Sequence, residues 1–124
     1  MLRPIEPTVR YADLDVRKTS GVHYTPSKLA QFVAHEVNKQ LPQQDKLRIL
    51  DPAIGDGELI IALLGELQKS HPETAIEVVG FDTDREAIGQ AEERIRAQFE
   101  YVSVDLQTAD FLDFAVQFLS LIHI

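Results

Sequence analysis

Apolar residues recur along the chain at two spacings, one typical of amphipathic helices and one typical of buried strands. Thr25 can cap a helix and Pro26 suits a first helical turn, and apolar positions then follow at helical spacing until Pro42. A first helix is therefore predicted. Its expected inward side chains are Leu29, Phe32, Val33, Val37 and Leu41.

Three short apolar runs follow, over residues 47–50, 75–81 and 101–106, and each predicts a strand. Helical patterns separate them, one over residues 58–69 and one capped by Asp84. The inward side chains expected from these two helices are Leu59, Ile60, Leu63, Leu67, Ile88, Ala91, Ile95 and Phe99. A helix followed by βαβαβ predicts an α/β, Rossmann-like fold, with three parallel strands, right-handed crossovers and helices on both faces.

The same patterns divide the chain into three stretches. Residues 1–20 show no sustained period and contain two prolines, which predicts an extended leader. Residues 21–119 contain every predicted element, so we expect them to form one partial domain. Residues 120–124, SLIHI, are apolar and have no cap or turn signal, and we expect them to be a truncation or artefact tail.

Composition limits the chemistry that this domain can perform. Of 124 residues, 44% are hydrophobic and 26% charged, which is the balance of one soluble domain. The longest apolar run is far shorter than the roughly 20 residues of a membrane span, so we expect a cytoplasmic protein without membrane contact. The chain has no cysteine, which excludes disulfides and thiolate metal sites, and its four histidines lack metal-ligand spacing.

The formal net charge of −8 argues against this segment as the main nucleic-acid-binding surface, because neutralising phosphates requires clustered Lys and Arg. Arg94 and Arg96 form a small basic cluster, but they follow Glu92 and Glu93 on a helical pattern. We interpret this cluster as a solvated helix face.

The loop DPAIGDG follows the first strand, where open parallel sheets bind their ligands. Gly55 and Gly57 allow the backbone to approach a ligand, and Asp51 and Asp56 offer acceptors to a cationic or hydroxyl-bearing group. A dinucleotide fingerprint would need a third glycine where Ile60 stands, and no phosphate-binding loop occurs. A nicotinamide-binding dehydrogenase therefore does not fit, and a ligand with an ammonium or sulfonium charge is favoured.

Acidic residues also follow the other two predicted strands. Asp82 ends the second strand, where a carboxylate can accept from both hydroxyls of a ribose. Asp110 can accept from an exocyclic amine, and Phe111 beside it offers an aromatic face to a purine.

Four segments, SGVHYTPSKLAQFVAHEV, ILDPAIGDGELIIALL, VVGFDTD and TADFL, resemble in sequence and order the amino-terminal cofactor half of the adenine-N6 DNA methyltransferases of restriction–modification systems. The resemblance extends from Arg17 to Phe114. It implies part of a class I S-adenosylmethionine-dependent methyltransferase fold, with S-adenosylmethionine as cofactor. The cofactor-binding positions that it implies are Tyr24, Thr25, Asp51, Ala53, Gly55, Gly57, Asp82, Thr83, Asp110 and Phe111.

Within that resemblance, Tyr24 and Thr25 belong to a segment that closes over the methionine end of the cofactor, and the glycine loop binds the same end. Ile54 and Asp56 replace smaller residues of the family's loop, and Thr83 replaces a bulkier apolar residue that packs on the adenine. We therefore expect looser adenine packing.

The family's catalytic motif, [DNS]-P-P-[YF], holds and stacks a flipped adenine, and no Pro-Pro pair occurs in this sequence. The resemblance therefore implies a cofactor-binding fragment without catalytic residues, with DNA contacts and any specificity or endonuclease domain or subunit lying elsewhere. A fragment of a protein-glutamine or RNA methyltransferase, or a non-catalytic cofactor-binding module, remains an alternative. The pattern does not determine the oligomeric state.

We predict that the 124-residue chain alone transfers no methyl group, because it lacks an acceptor for the adenine amino group and a platform to align the base. The measurement is incorporation of tritium from labelled S-adenosylmethionine into DNA of mixed sequence. Incorporation above a protein-free control would contradict the prediction.

Overall fold

The computed structural model describes residues 25–122, which form one three-stranded sheet and four helices. The helices are α1 (Ser27–Gln40), α2 (Glu58–Ser70), α3 (Arg85–Gln98) and α4 (Phe111–Ile122), and the strands are β1 (Lys46–Asp51), β2 (Ala75–Asp82) and β3 (Ser103–Thr108). All strands are parallel, in the order β1-β2-β3. The predicted α/β architecture is confirmed. The predicted leader and Tyr24 lie outside the described residues.

The central strand β2 pairs with both of its neighbours near their carboxyl ends. Asp51 pairs with Gly80, and Gly80 pairs in turn with Leu106. Asp82, the last residue of β2, pairs with Thr108, the last residue of β3. The carboxyl ends of all three strands therefore meet at one edge of the sheet, which is where such folds bind ligands.

Helices α2 and α3 cover the same face of the sheet and form the core with it. Ile76 and Val78 of β2 point into this core, and each is almost completely buried. The predicted inward residues are all buried: Ile60, Leu63 and Leu67 of α2, Ile88, Ala91 and Ile95 of α3, and Phe99 directly after α3. Burial of a large aliphatic side chain contributes about 1.5–3 kcal/mol, so this layer stabilises the sheet edge that carries the loops.

Leu41 packs against the hydrophobic core as predicted, but the inward face predicted for α1 is otherwise not buried. Its buried residues are Ala30 and Ala34, whereas Phe32 is 62% exposed. The helix packs against α2, and the two small side chains, four residues apart on one face, allow a close approach that larger residues would prevent. The helix begins at Ser27 with Pro26 in the capping position, one residue later than a Thr25 cap would give.

Two strand predictions need correction. β3 begins at Ser103 rather than at Tyr101, because the chain first turns through a hydrogen bond from the Val102 amide to the Phe99 carbonyl. β1 is an edge strand with alternating burial, and Leu50 on its outer face is 52% exposed instead of buried.

The second face of the sheet carries the beginning of α4, a helix that the sequence patterns did not predict. Phe81 lies on this face, with ring centroids 5.3 Å from Phe111 and 5.1 Å from Phe114. The helix extends into the stretch expected to be a tail, as far as Ile122. No helix among residues 25–122 is both long and apolar enough to cross a membrane.

Gly80 leaves room in β2 for a residue of the neighbouring loop. A Cβ atom at Gly80 would lie 2.7 Å from Cδ1 of Ile54 and 2.9 Å from Cδ2 of Leu106. Ile54 is only 4% exposed, so its side chain fills the space above the strand. The missing side chain thus fixes how closely the loop approaches the sheet.

We predict that Gly80→Ala destabilises the chain by about 1–3 kcal/mol, because the added methyl would lie 3.3 Å from Cβ of Ile54 and closer still to the ends of the Ile54 and Leu106 side chains, which would have to shift. Chemical denaturation monitored by circular dichroism measures the change in unfolding free energy.

Gly89→Ala is the matched control. Nothing lies within 4 Å of a Cβ atom at this helical position, and alanine is favoured over glycine in helices, so the variant should be neutral or more stable by up to about 1 kcal/mol. Equal stability of the two variants would show that Ile54 does not depend on the space above Gly80.

Candidate functional site

The loop between β1 and α2 forms the floor of the candidate site. Its backbone turns through two glycines with positive φ, 56° at Gly55 and 88° at Gly57, a region that residues with a Cβ atom rarely adopt. The Asp51 side chain accepts a hydrogen bond from the Ala53 amide (3.0 Å), and the Ile54 amide donates to the Phe81 carbonyl (2.9 Å). The loop is therefore held by hydrogen bonds to Asp51, the last residue of β1, and to Phe81 of β2.

Gly57 has a packing role besides its conformation. A Cβ atom there would lie 3.3 Å from Cβ of Ala91, so the loop touches α3 where both residues are small. The sequence predicts that the backbone at this glycine approaches a ligand closely. The close approach observed here is to a helix.

Asp82 joins the ends of two strands to the loop. One carboxylate oxygen accepts from the Gly55 amide and the other from the Asp84 amide, both at 2.9 Å. Its carbonyl oxygen accepts from the Ala109 amide beyond β3 (2.9 Å). A carboxylate has about four acceptor positions, so these contacts leave capacity for two ribose hydroxyls.

A cleft of about 310 Å³, part of which is open to solvent, lies between the start of α1 and this loop. Its lining residues are Thr25, Asp51, Ala53, Ile54, Gly55, Asp56, Glu58 and Leu59. Four of the predicted site residues, Thr25, Asp51, Ala53 and Gly55, therefore share one cleft. Leu59, expected in the core, lies on the cleft wall instead.

The remaining predicted residues in the described part of the chain do not line this cleft. Gly57 is buried beneath the loop, Asp82 is hydrogen-bonded to it, and Thr83 is exposed after β2. Asp110 accepts from the Leu112 amide (2.8 Å) at the beginning of α4. Tyr24 precedes the first described residue.

Phe111 is engaged in packing. Its ring meets Phe81 edge-on, with an interplanar angle of 64°, and it stays partly exposed at the start of α4. The aromatic group expected to face a purine is thus also part of the contact that attaches α4 to the sheet.

The interpretation of Arg94 as part of a solvated face is wrong. Its guanidinium donates to the Asp56 carbonyl and to the Glu58 carboxylate, both at 2.9 Å, and lies 3.4 Å from the Asp56 carboxylate. Asp56 is 4% exposed, and its carboxylate also accepts from the Glu58 amide, so this acid is engaged within the protein. Sequence reasoning missed Glu58 and Arg94, since 36 residues separate them and no local pattern relates them.

Burial raises the pKa of the Asp51 carboxyl above its ordinary value of 3.8, and the nearby negative charge of Asp82 adds to the increase. The hydrogen bond from the Ala53 amide opposes it. Asp51 is therefore a carboxylate whose charge is unfavourable in the free protein. A cation placed beside it would relieve that cost.

The fold and the loop cleft at the strand ends define a domain of the class I S-adenosylmethionine-dependent methyltransferase type. A Listeria monocytogenes protein described as such a methyltransferase superposes with a TM-score of 0.58 and 21% identity, covering 83% of this chain and 33% of its own. A methyltransferase of Geobacter sulfurreducens gives a TM-score of 0.57 and 18% identity, covering 94% and 54%. At these identities the likeness concerns the fold.

Residues 8–94 match the model of the family described as N-6 DNA Methylase, and the chain belongs to that family. Type II methyltransferase M.BanIII of Aneurinibacillus aneurinilyticus is 35% identical over 102 residues, which cover 78% of this chain and 17% of that protein. The family resemblance seen in the sequence is thereby confirmed. The chain spans about a sixth of the length of this curated relative.

We predict that Asp51→Asn leaves the free chain as stable as the wild type or more stable at neutral pH. The folded-state pKa of this acid is raised, so its ionised form costs stability above that pKa, and the cost disappears as the pH falls below the unfolded-state value. The amide oxygen of Asn can still accept from Ala53. Denaturant unfolding at pH values from about 7 to about 4 measures the difference between the two chains, which should shrink as the pH falls.

Asp105→Asn, an exposed change on β3, is the control and should give no such trend. An Asp51→Asn chain less stable than the wild type by more than about 1 kcal/mol at neutral pH would show that the carboxylate stabilises the fold.

Proposed function

We propose that this chain is the S-adenosylmethionine-binding part of a site-specific DNA adenine-N6 methyltransferase. The single observation that carries the proposal is the cleft at the carboxyl edge of the sheet, where Asp51, Ala53 and Gly55 lie opposite Thr25. Membership of the N-6 DNA methylase family supports the choice of cofactor and of reaction.

The carboxylates around the cleft fit this cofactor better than a nucleotide polyphosphate. Asp51 lines the cleft and has a raised pKa, so a cationic group beside it would gain an electrostatic partner. S-adenosylmethionine carries an ammonium and a sulfonium, whereas a phosphate would meet carboxylates. Under the proposal, Thr25, Asp51, Ala53, Gly55 and Gly57 hold the methionine end.

The other end of the cofactor is assigned to the ends of β2 and β3. Asp82 retains acceptor capacity for the ribose hydroxyls, and Thr83, Asp110 and Phe111 contact the adenine. When bound, the cofactor supplies a methyl group on a positively charged sulfur. The residues of this chain bind and orient that group, and we assign none of them to catalysis.

DNA as the methyl acceptor is supported by the family and by the relative M.BanIII. The net charge of −8 makes this segment a poor match for phosphates, so we place the DNA contacts and the adenine-capturing motif in other parts of the protein. We further propose a cytoplasmic protein that acts with a specificity or endonuclease domain or subunit.

We predict that the chain binds S-adenosylhomocysteine saturably and that Asp51→Asn weakens this binding about tenfold or more, since a charged partner of the ligand's ammonium is lost. Isothermal titration calorimetry measures both affinities. Because the cation favours the ionised carboxylate, binding should release protons from the wild type near the raised pKa of Asp51, and buffers of different ionisation enthalpy detect this release.

Asp105→Asn should bind like the wild type, because its side chain is exposed on β3 away from the cleft. Nicotinamide adenine dinucleotide serves as the second control and should not compete. If the wild-type chain showed no saturable binding, or if the dinucleotide displaced S-adenosylhomocysteine, the proposed cofactor would be wrong.

A further inference from the structure

A carboxylate next to the glycine loop links three separate parts of the chain. Glu58 is the first residue of α2, and one of its oxygens accepts from the Arg94 guanidinium of α3 at 2.9 Å. Its other oxygen accepts from the Ser27 hydroxyl, at the start of α1, at 3.0 Å. The two contacts span 36 and 31 residues of sequence. Glu58 therefore connects α3 to α1 through the beginning of α2.

This link passes directly beside the candidate cofactor cleft. Glu58 itself lines the cleft, as does Thr25, which lies two residues before Ser27. Arg94 also holds the loop from behind, because it donates to the Asp56 carbonyl at 2.9 Å. The Arg94 guanidinium thus contacts the loop directly, and through Glu58 it is also linked to the start of α1.

The environment makes the link stronger than an ordinary surface ion pair. The Glu58 side chain is 15% exposed and that of Arg94 is 32% exposed. Charge-assisted hydrogen bonds are stronger than neutral ones, and solvent screens partly buried pairs less than exposed ones. On the same helix, Arg96 pairs with Glu92 at 3.4 Å, with side chains 56% and 44% exposed.

We propose that Arg94, acting through Glu58 and Ser27, is a positioning residue. It sets the distance between Thr25 and the glycine loop across the cleft, and this distance determines the affinity for the amino-acid end of the cofactor. This inference rests on the proposed function, because it assigns that end of S-adenosylmethionine to this cleft. The hydrophobic core between α2, α3 and the sheet is formed by other residues, so the link is separate from that core.

The test compares two ligands that differ only at the amino-acid end of the thioether. On its sulfur, S-adenosylhomocysteine carries a chain with the homocysteine amino and carboxyl groups, whereas 5′-methylthioadenosine carries only a methyl group. Arg94→Met keeps most of the side-chain length and removes the fork of donors. Calorimetric titration should show at least about a tenfold loss of affinity for S-adenosylhomocysteine and less than about a twofold change for 5′-methylthioadenosine.

Arg96→Met is the matched control on the same helix and should change neither affinity. Arg94→Lys should recover only part of the loss, because an ammonium lacks the planar fork that reaches two acceptors in fixed geometry. Ser27→Ala breaks the link to α1 alone, without removing a charge. It should lower affinity for S-adenosylhomocysteine in the same direction by a smaller factor, and it provides the test if Arg94→Met does not fold.

Three outcomes would overturn the inference while leaving the proposed function intact. The first is a wild-type chain that binds S-adenosylhomocysteine and an Arg94→Met chain that binds it equally well. The second is an equal loss for both ligands, which would indicate a general structural role of Arg94. The third is a folded Ser27→Ala chain with unchanged affinity. A wild-type chain that binds neither ligand would instead contradict the proposed function itself.

Discussion

The packing of Ile54 into the space above Gly80 is the contact on which the arrangement of the site depends. Gly80 lies in the central strand, and any side chain there would overlap with Ile54 and Leu106. The Ile54 amide also donates to the Phe81 carbonyl, so the loop follows the position of β2. Gly55 and Gly57, which both follow Ile54, then turn the backbone, and Asp82 accepts from the Gly55 amide. A hydrophobic contact thus determines where the polar groups of the site lie.

Residues of one chemical type perform different tasks at this edge of the sheet because their surroundings differ. Asp84 and Asp110 accept from backbone amides at the beginning of α3 and α4. Asp56 is buried beside Arg94. Asp51 lines the cleft, and its pKa is raised by burial and by the charge of Asp82. A count of acids in the sequence would treat all of these as equivalent ligand candidates, whereas their contacts separate Asp84 and Asp110, which cap helices, from Asp51, which lines the cleft.

The predicted element order agrees with the structure where periodicity was supported by a second local signal. α3 has the predicted Asp84 cap, which accepts from the amides of Glu86 and Ala87, and the predicted inward face. The position of α1 was predicted correctly but its buried face was not, because the larger hydrophobic residues of the helix outnumber the two alanines that face α2. The limits of β3 were misplaced by two residues at its start, where a turn follows α3. The α1 error concerns a neighbour that is distant in sequence, whereas the β3 error comes from a turn between residues that are close in sequence.

The sequence by itself determined the fold class, the family, and the loop and acids that end the three strands, because turn chemistry, caps and hydrophobic periodicity act over a few neighbouring residues. Only the tertiary structure decided which of those acids face the cleft and which are engaged in holding it. It also showed that Arg94 reaches the glycine loop from a helix 36 residues beyond Glu58. Such contacts depend on how the helices pack on the sheet, and the spacing of residues along the chain does not determine which distant residues meet.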